Sequence, residues 1–218
     1  MKEGRDFAIW FMQNGFDSTP NVTSNMKLNK LLSFAQIISL ALYNEPLFKD
    51  EMYAFKNGLV IENVRKEYKL NLNTLQIEAN KGINLTYREQ EVLDYTNKLF
   101  GDANAEELSM LSHQYRMWKE HYENSHNGIG YDTEKQKIDV HEILHEYQDD
   151  LERTRVMVSA LNDEEKDEEY IVISNTKFFY DPKEISVTEE IKHQLEKFPA
   201  IDNAYSFYID KSQGLVIY

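Results

Sequence analysis

His141, Glu142 and His145 stand in the order H-E-x-x-H. On a helix, two histidines at this spacing share a face and can ligate one zinc ion. The glutamate between them can then serve as general base toward a metal-bound water. The chemistry would be metal-assisted hydrolysis. The helix expected to carry the motif opens at Asp139 and runs to about Leu161. At about 100° per residue, Val140, Ile143, Leu144, Tyr147, Leu151, Val158 and Leu161 make one apolar face. His141 and His145 then fall on the polar side. Glu142 falls three residues after Asp139, where a capping-box glutamate belongs. No third ligand stands out, and His113, His121 and His126 add no ligand spacing. The match reads as a solvated helix face, so neither a metal nor any other cofactor is expected.

Other catalytic patterns do not arise. The chain has no cysteine, hence no disulfide framework, thiolate zinc site or cysteine nucleophile. There is no G-x-S-x-G, no P-loop and no G-x-G-x-x-G following a strand. Carboxylates are so abundant that no pair singles itself out as general acid and base. The expectation is a protein without catalytic activity.

The elements that would position these residues come from periodicity. With 218 residues, of which 41% are hydrophobic, the chain can bury a sizeable core as one elaborated domain or two small ones. Residues 5–13 read as a helix ended by Asn14-Gly15. Pro20 lies in a loop, with Thr23 or Ser24 as cap of the next helix. There Leu28, Leu31, Leu32, Ala35, Ile38 and Leu42 recur at helical steps, until Asn44 and Pro46. Met52 to Phe55 reads as extended, Asn57-Gly58 as a turn, and Leu59 to Tyr68 as a helix. Thr86 and Glu89 form a capping box for a helix through Phe100, which Gly101 ends. Short helical pieces at 104–113 and from Met117 follow, then a loop over 124–136. Beyond the 139–161 helix the pattern changes. Residues 169–174 and 176–180 read as strands, 186–198 as an amphipathic helix with Ile191, Leu195 and Phe198 on one face, and 205–218 as a hairpin turning at Ser212–Gly214. The fold class is a mainly α helical domain with a small C-terminal α+β (strand-helix-hairpin) appendix. The division is 1–161 for the helical domain and 162–218 for an acidic linker plus the extension.

Net charge is −14. Nucleic-acid phosphate is repelled on average, so no direct nucleic-acid binding is expected, whereas a basic protein is attracted. The N-terminus carries Glu3, Arg5 and Asp6 and does not read as a secretory signal. No run approaches the roughly 20 apolar residues of a membrane span. A cytoplasmic protein without membrane contact is expected.

Three stretches, in this order and spacing, carry a resemblance. They are M-K-L-N-K-L-L-S-F-A-Q (26–36) with A-L-Y-N-E-P-L-F (41–48), then A-F-K-N-G-L-V-I-E-N-V-R-K-E-Y (54–68), then L-S-M-L-S-H-Q-Y-R-M-W (108–118). Together they resemble the Panacea domain, the SocA-like antitoxin family common in bacteria and their prophages, over roughly residues 5–148. That family reads L-x-K-L-L-Y-F-A-Q, P-L-F, W-x-x-G-P-V-x-x-x-V-Y and E-L-S-x-L-T-H-x-x-x-P-W. Here the third element starts with Phe55 and has Leu59 in place of its proline. Ser112 replaces the threonine, and Met117 the last proline. The signature positions are Lys30, Leu31, Phe34, Gly58, His113 and Trp118. Leu31 and Phe34 are core-type positions, Gly58 suits a turn with an unusual backbone angle, and His113 and Trp118 can pair across a helix end.

The resemblance implies a binding role: a non-catalytic antitoxin-type protein that neutralises a cognate protein toxin, in some members by presenting it to a protease. A second reading on the same domain is a phage-encoded acidic inhibitor of a host defence or nucleic-acid-binding protein. A third, weakest, is the zinc hydrolase. Residues 141–170 hold eleven acidic side chains against three basic ones, more than half of the charge excess. A basic toxin or other basic protein would match that stretch. Candidate partner-binding residues are Glu164, Glu165, Asp167 and Glu168 there, and the aromatic anchors Phe178, Phe179 and Tyr180 beyond it.

Overall fold

The computed structural model describes residues 1–126, 130–166, 169–210 and 213–218, with no side-chain description for 162–166. Asp167 and Glu168 therefore lie outside the described residues, as do the side chains of Glu164 and Glu165, residues 127–129 of the expected loop, and Ser212 of the expected turn. The chain divides into two compact units, Met1–Val158 and Ser159–Tyr218. The class is as the sequence implies: mainly helical, with a small strand-containing C-terminal unit.

In the first unit, α1 (Gly4–Gln13) and α2 (Val22–Tyr43) lead the chain. From Leu28 to Ala41 every residue of α2 is buried, so this helix runs through the middle of the unit rather than along its surface. It packs against α1, α3 (Glu62–Ala79), α4 (Tyr87–Phe100), α5 (Ala105–Ser112) and the strand β2 (Gly58–Ile61). Asn44, in the left-handed region at φ 54°, ends α2 as expected. Its N-cap, however, is Asn21, whose side chain accepts from the Ser24 amide, and not Thr23 or Ser24. Strand β1 (Met52–Phe55) pairs antiparallel with β2 and with β3 (Lys137–Ile138), giving the order β2-β1-β3.

Residues 59–61 correct the expected helix: they are strand, and α3 begins only at Glu62. A short apolar run does not distinguish strand from buried helix by itself, and pairing with β1 decides. The α3 helix continues past Tyr68 to Ala79, across a kink at Asn71. The Thr86–Glu89 capping box forms as read.

α6 (Arg116–Ser125) and the single turn α7 (Thr133–Gln136) follow, and the expected long helix is two. Asp139 caps α8 (Val140–Glu146), the chain leaves helical geometry at Tyr147, and α9 (Gln148–Lys166) begins beyond it. Asp150 lies in the first turn beyond the break. Its buried carboxylate accepts from the Arg116 and Met117 amides at 2.9 and 2.8 Å, capping α6, whose own N-cap Tyr115 offers no side chain.

The second unit runs β4 (Glu169–Ile173), β5 (Thr176–Tyr180), α10 (Glu189–Glu196), β6 (Ala204–Asp210) and β7 (Gly214–Ile217) in a sheet of order β4-β5-β6-β7. β5 and β6 are parallel neighbours, so their connection must cross over the sheet, and α10 provides it. Strand alternation then sorts the side chains. Ile171, Ile173, Phe178, Tyr180, Phe207 and Leu215 pack with Ile191 and Leu195 of α10. Tyr170, Val172, Phe179 and Tyr208 alternate onto the opposite face.

Candidate functional site

Four of the six positions named by the resemblance, Lys30, Gly58, His113 and Trp118, converge on one feature, the turn between β1 and β2. Gly58 sits there at φ +95°, a conformation that L side chains rarely adopt. A Cβ at this position would lie 1.8 Å from Ser112 Oγ and 3.1 Å from Lys30 Nζ, so only glycine lets α2 and α5 close on the turn.

Four positions of that turn and its flanks, 55, 56, 57 and 59, are held from outside. Trp118 Nε1 donates to the Phe55 carbonyl at 2.8 Å. His113 hydrogen-bonds the Lys56 backbone. Ser109 Oγ donates to the Asn57 carbonyl at 2.8 Å, and Lys30 Nζ to the Leu59 carbonyl at 2.7 Å. The His113 ring stacks on Trp118 at 3.9 Å, Trp118 on Tyr122 at 5.1 Å, and Tyr122 on Tyr131 at 4.9 Å. The pairing of His113 with Trp118 and a backbone group thus has a concrete form: the two rings brace each other while each holds one residue of the turn.

The free edge of β2 is closed by the same helix. Strand β2 has a partner on one side only, yet its outward-facing groups are satisfied. Lys30 takes the Leu59 carbonyl, and the Ile61 amide donates to Asn29 Oδ1 at 3.0 Å. Two side chains of α2 stand where a neighbouring strand would. Gln36, the last residue of the F-A-Q element, plays a matching part for P-L-F. Its Oε1 accepts from the Leu47 and Phe48 amides, and its Nε2 donates to the Phe48 carbonyl.

Electrostatics at the turn follow from burial. Lys30 is fully buried, and removal from water pushes its ammonium down to about 7. His113 is held below its ordinary value, first by burial and then by the Lys30 charge. Its Nε2 is buried without a hydrogen-bond partner. Leu31 and Phe34 lie in the core, where Phe34 stacks on Phe100 at 4.4 Å.

The H-E-x-x-H residues lie on α8. His141 and His145 are exposed, with ring centroids 4.1 Å apart. Glu142 corrects the expected capping box: its carboxylate accepts from Tyr147 OH at 3.4 Å and pairs with His121 Nε2 at 3.1 Å. Among the described residues no three His, Asp or Glu side chains group as metal ligands do. Of the aromatic trio, Phe178 is in the core of the second unit and Tyr180 packs against it, so Phe179 alone is on the outer face.

Sequence reasoning named Lys30, Gly58, His113 and Trp118 but not Asn29, Gln36 or Ser109. One signal was available for Asn29: an asparagine set among leucines in the stretch 28–32 must find an internal partner if it is buried.

Residues 28–119 match the family model described as antitoxin SocA-like, Panacea domain. This match shows the resemblance, over a narrower range than 5–148, and it contains every signature position named above. No curated protein and no solved structure matches the chain. No helix among the described residues is long and apolar enough to cross a membrane.

Proposed function

We propose that this chain is a non-catalytic antitoxin-type protein that acts in the cytoplasm by binding and neutralising a cognate protein toxin. The family match over residues 28–119 carries this reading. The geometry supports it in a specific way. Lys30, Ser109 and Trp118 direct their polar atoms at backbone carbonyls of one hairpin, and His113 engages its backbone as well. Groups engaged in this manner hold a shape and are not presented to a substrate. The acidic run over 141–170 would attract a basic face of the toxin at long range, an effect that salt screens.

The test is inducible co-expression with the product of the neighbouring gene. Rescue of growth and co-purification of the two proteins are expected. Growth arrest in the presence of folded, full-length chain would overturn the reading. His145→Ala should leave rescue intact. One tightly held zinc per purified chain, with rescue lost in that variant, would favour the hydrolase instead.

A further inference from the structure

A cavity of about 560 Å³ opens beside the clamped turn, between the N-terminal half of α2, the hairpin tip and α3. Its apolar wall includes Met26, Phe55, Val60 and Leu72. Its charged lining is Lys30, Lys56, Arg65 and Lys69, with no carboxylate. That composition runs against the chain as a whole, in which 38 acidic residues outnumber 24 basic ones. Several surface cations elsewhere in this unit are paired with acids: Arg5 with Glu67 and Glu78, Lys49 with Glu3, Arg116 with Glu120 and Asp149. Arg65, which also lines the cavity, is held by Glu62. Lys56 and Lys69 are exposed and have no ion-pair partner among the described residues. Lys30 closes the floor from beneath, a buried cation whose partner is a neutral carbonyl. At the rim, Val22 is 82% exposed, so the apolar wall continues out to the surface.

An apolar cavity rimmed by two unpaired lysines, Lys56 and Lys69, on an otherwise acidic protein, is complementary to a group of opposite design. We infer that this cavity is a docking site for an acidic segment of the partner protein, which inserts an apolar side chain between Met26, Val60 and Leu72 and sets flanking carboxylates against Lys56, Arg65 and Lys69. The inference rests on the antitoxin reading for the identity of the partner as a protein toxin. It separates two tasks: the acidic run attracts at long range, and the cavity anchors at contact. A flat nucleic-acid backbone lacks the apolar side chain that the wall is shaped for. A basic segment would meet the like charges of Lys56, Arg65 and Lys69.

Two arms test this, both with the full-length chain. In the first, random peptides displayed on phage are panned against the immobilised protein, and the winners are synthesised. Their affinity is then measured for wild type and for the Lys56→Glu/Lys69→Glu double variant. Winners should join Asp or Glu to a bulky apolar residue, and the double variant should bind them at least about tenfold more weakly. Because both lysines are exposed, the variant should unfold at the same temperature as wild type. Met26→Arg, which fills the wall without touching those lysines, should also abolish binding. An absence of winners, winners that are basic, or affinities unchanged in the variants would each overturn the inference. In the second arm the double variant replaces wild type in the growth test. Rescue by wild type and not by the variant supports the inference. Equal rescue by both sinks the cavity while the antitoxin reading stands. Failure of wild type to rescue sinks that reading, and the peptide arm then decides the cavity alone.

Discussion

Residues 1–158 and 159–218 differ in how much core they offer to aromatic side chains. In the larger unit Phe7, Phe11, Phe34 and Phe48 are wholly buried, and the stack from His113 through Tyr131 braces a hairpin. In the smaller unit, alternation along four strands sends Phe178 and Phe207 inward and Tyr170 and Tyr208 outward, the latter pair roughly half exposed. The cause is scale. A unit of about 60 residues has little interior relative to its surface, and one helix covers only one face of its sheet. Both units have buried and exposed rings, Tyr87 of the larger one being 84% exposed, so size sets how many rings find a core and not whether any do.

The strongest way to break this contrast is a charge in the larger core. Leu31→Asp places an unpaired carboxylate in the middle of α2, and loss of the folded first unit is expected, read by circular dichroism and segment-resolved hydrogen exchange. A soluble variant with unchanged melting would show that α2 does not occupy the centre. Next in size is Phe178→Ala, expected to cost about 4 kcal/mol, a large share of what a small unit has. Phe179→Ala, its neighbour on the outer face, should cost well under that. Equal protection losses in strands β4 to β7 for the two variants would erase the assignment of faces.

Gly58→Ala sharpens the comparison from the other side, because it disturbs a turn and not a core. Strain at φ +95° and the clash with Ser112 together should cost about 3 kcal/mol, seen as a lower urea midpoint. Smallest per step, read one pH unit at a time, is the titration of Lys30. Its folded value, about 7, lies below the 10.5 of the free side chain. Between those values the unfolded chain holds a proton that the folded chain has released, so stability should rise with pH, by at most about 1.4 kcal/mol per pH unit. Below about pH 7 both states are protonated and the slope should vanish. Urea unfolding of wild type against Lys30→Met across this window isolates the contribution. A difference that stays flat would mean that Lys30 keeps its charge when buried.

Much of this architecture was written locally. The Thr86–Glu89 box, the Asn44 terminus and the apolar rows of α2 depend on residues a few places apart, and all three are found. What was not legible depends on partners far along the chain. Leu59 to Ile61 are strand because β1 pairs with them, and the 139–161 helix breaks at Tyr147, with Asp150 just beyond it capping α6. The signature residues of the candidate site could be named, yet nothing near Lys30 in sequence announces that it meets Gly58, His113 and Trp118 at one turn. The cavity was missed for the same reason: its cations come from three separate elements.

The closing of the β2 edge by Asn29 and Lys30 also bears on how the chain folds. A two-stranded hairpin is marginal by itself, and this one becomes complete only when a helix about thirty residues upstream has already docked. Until then the edge is an open template, and the nearest available strand belongs to any other nascent copy. Conditions that delay α2 should thus favour aggregates seeded at residues 58–61, while the finished molecule presents no such seed there.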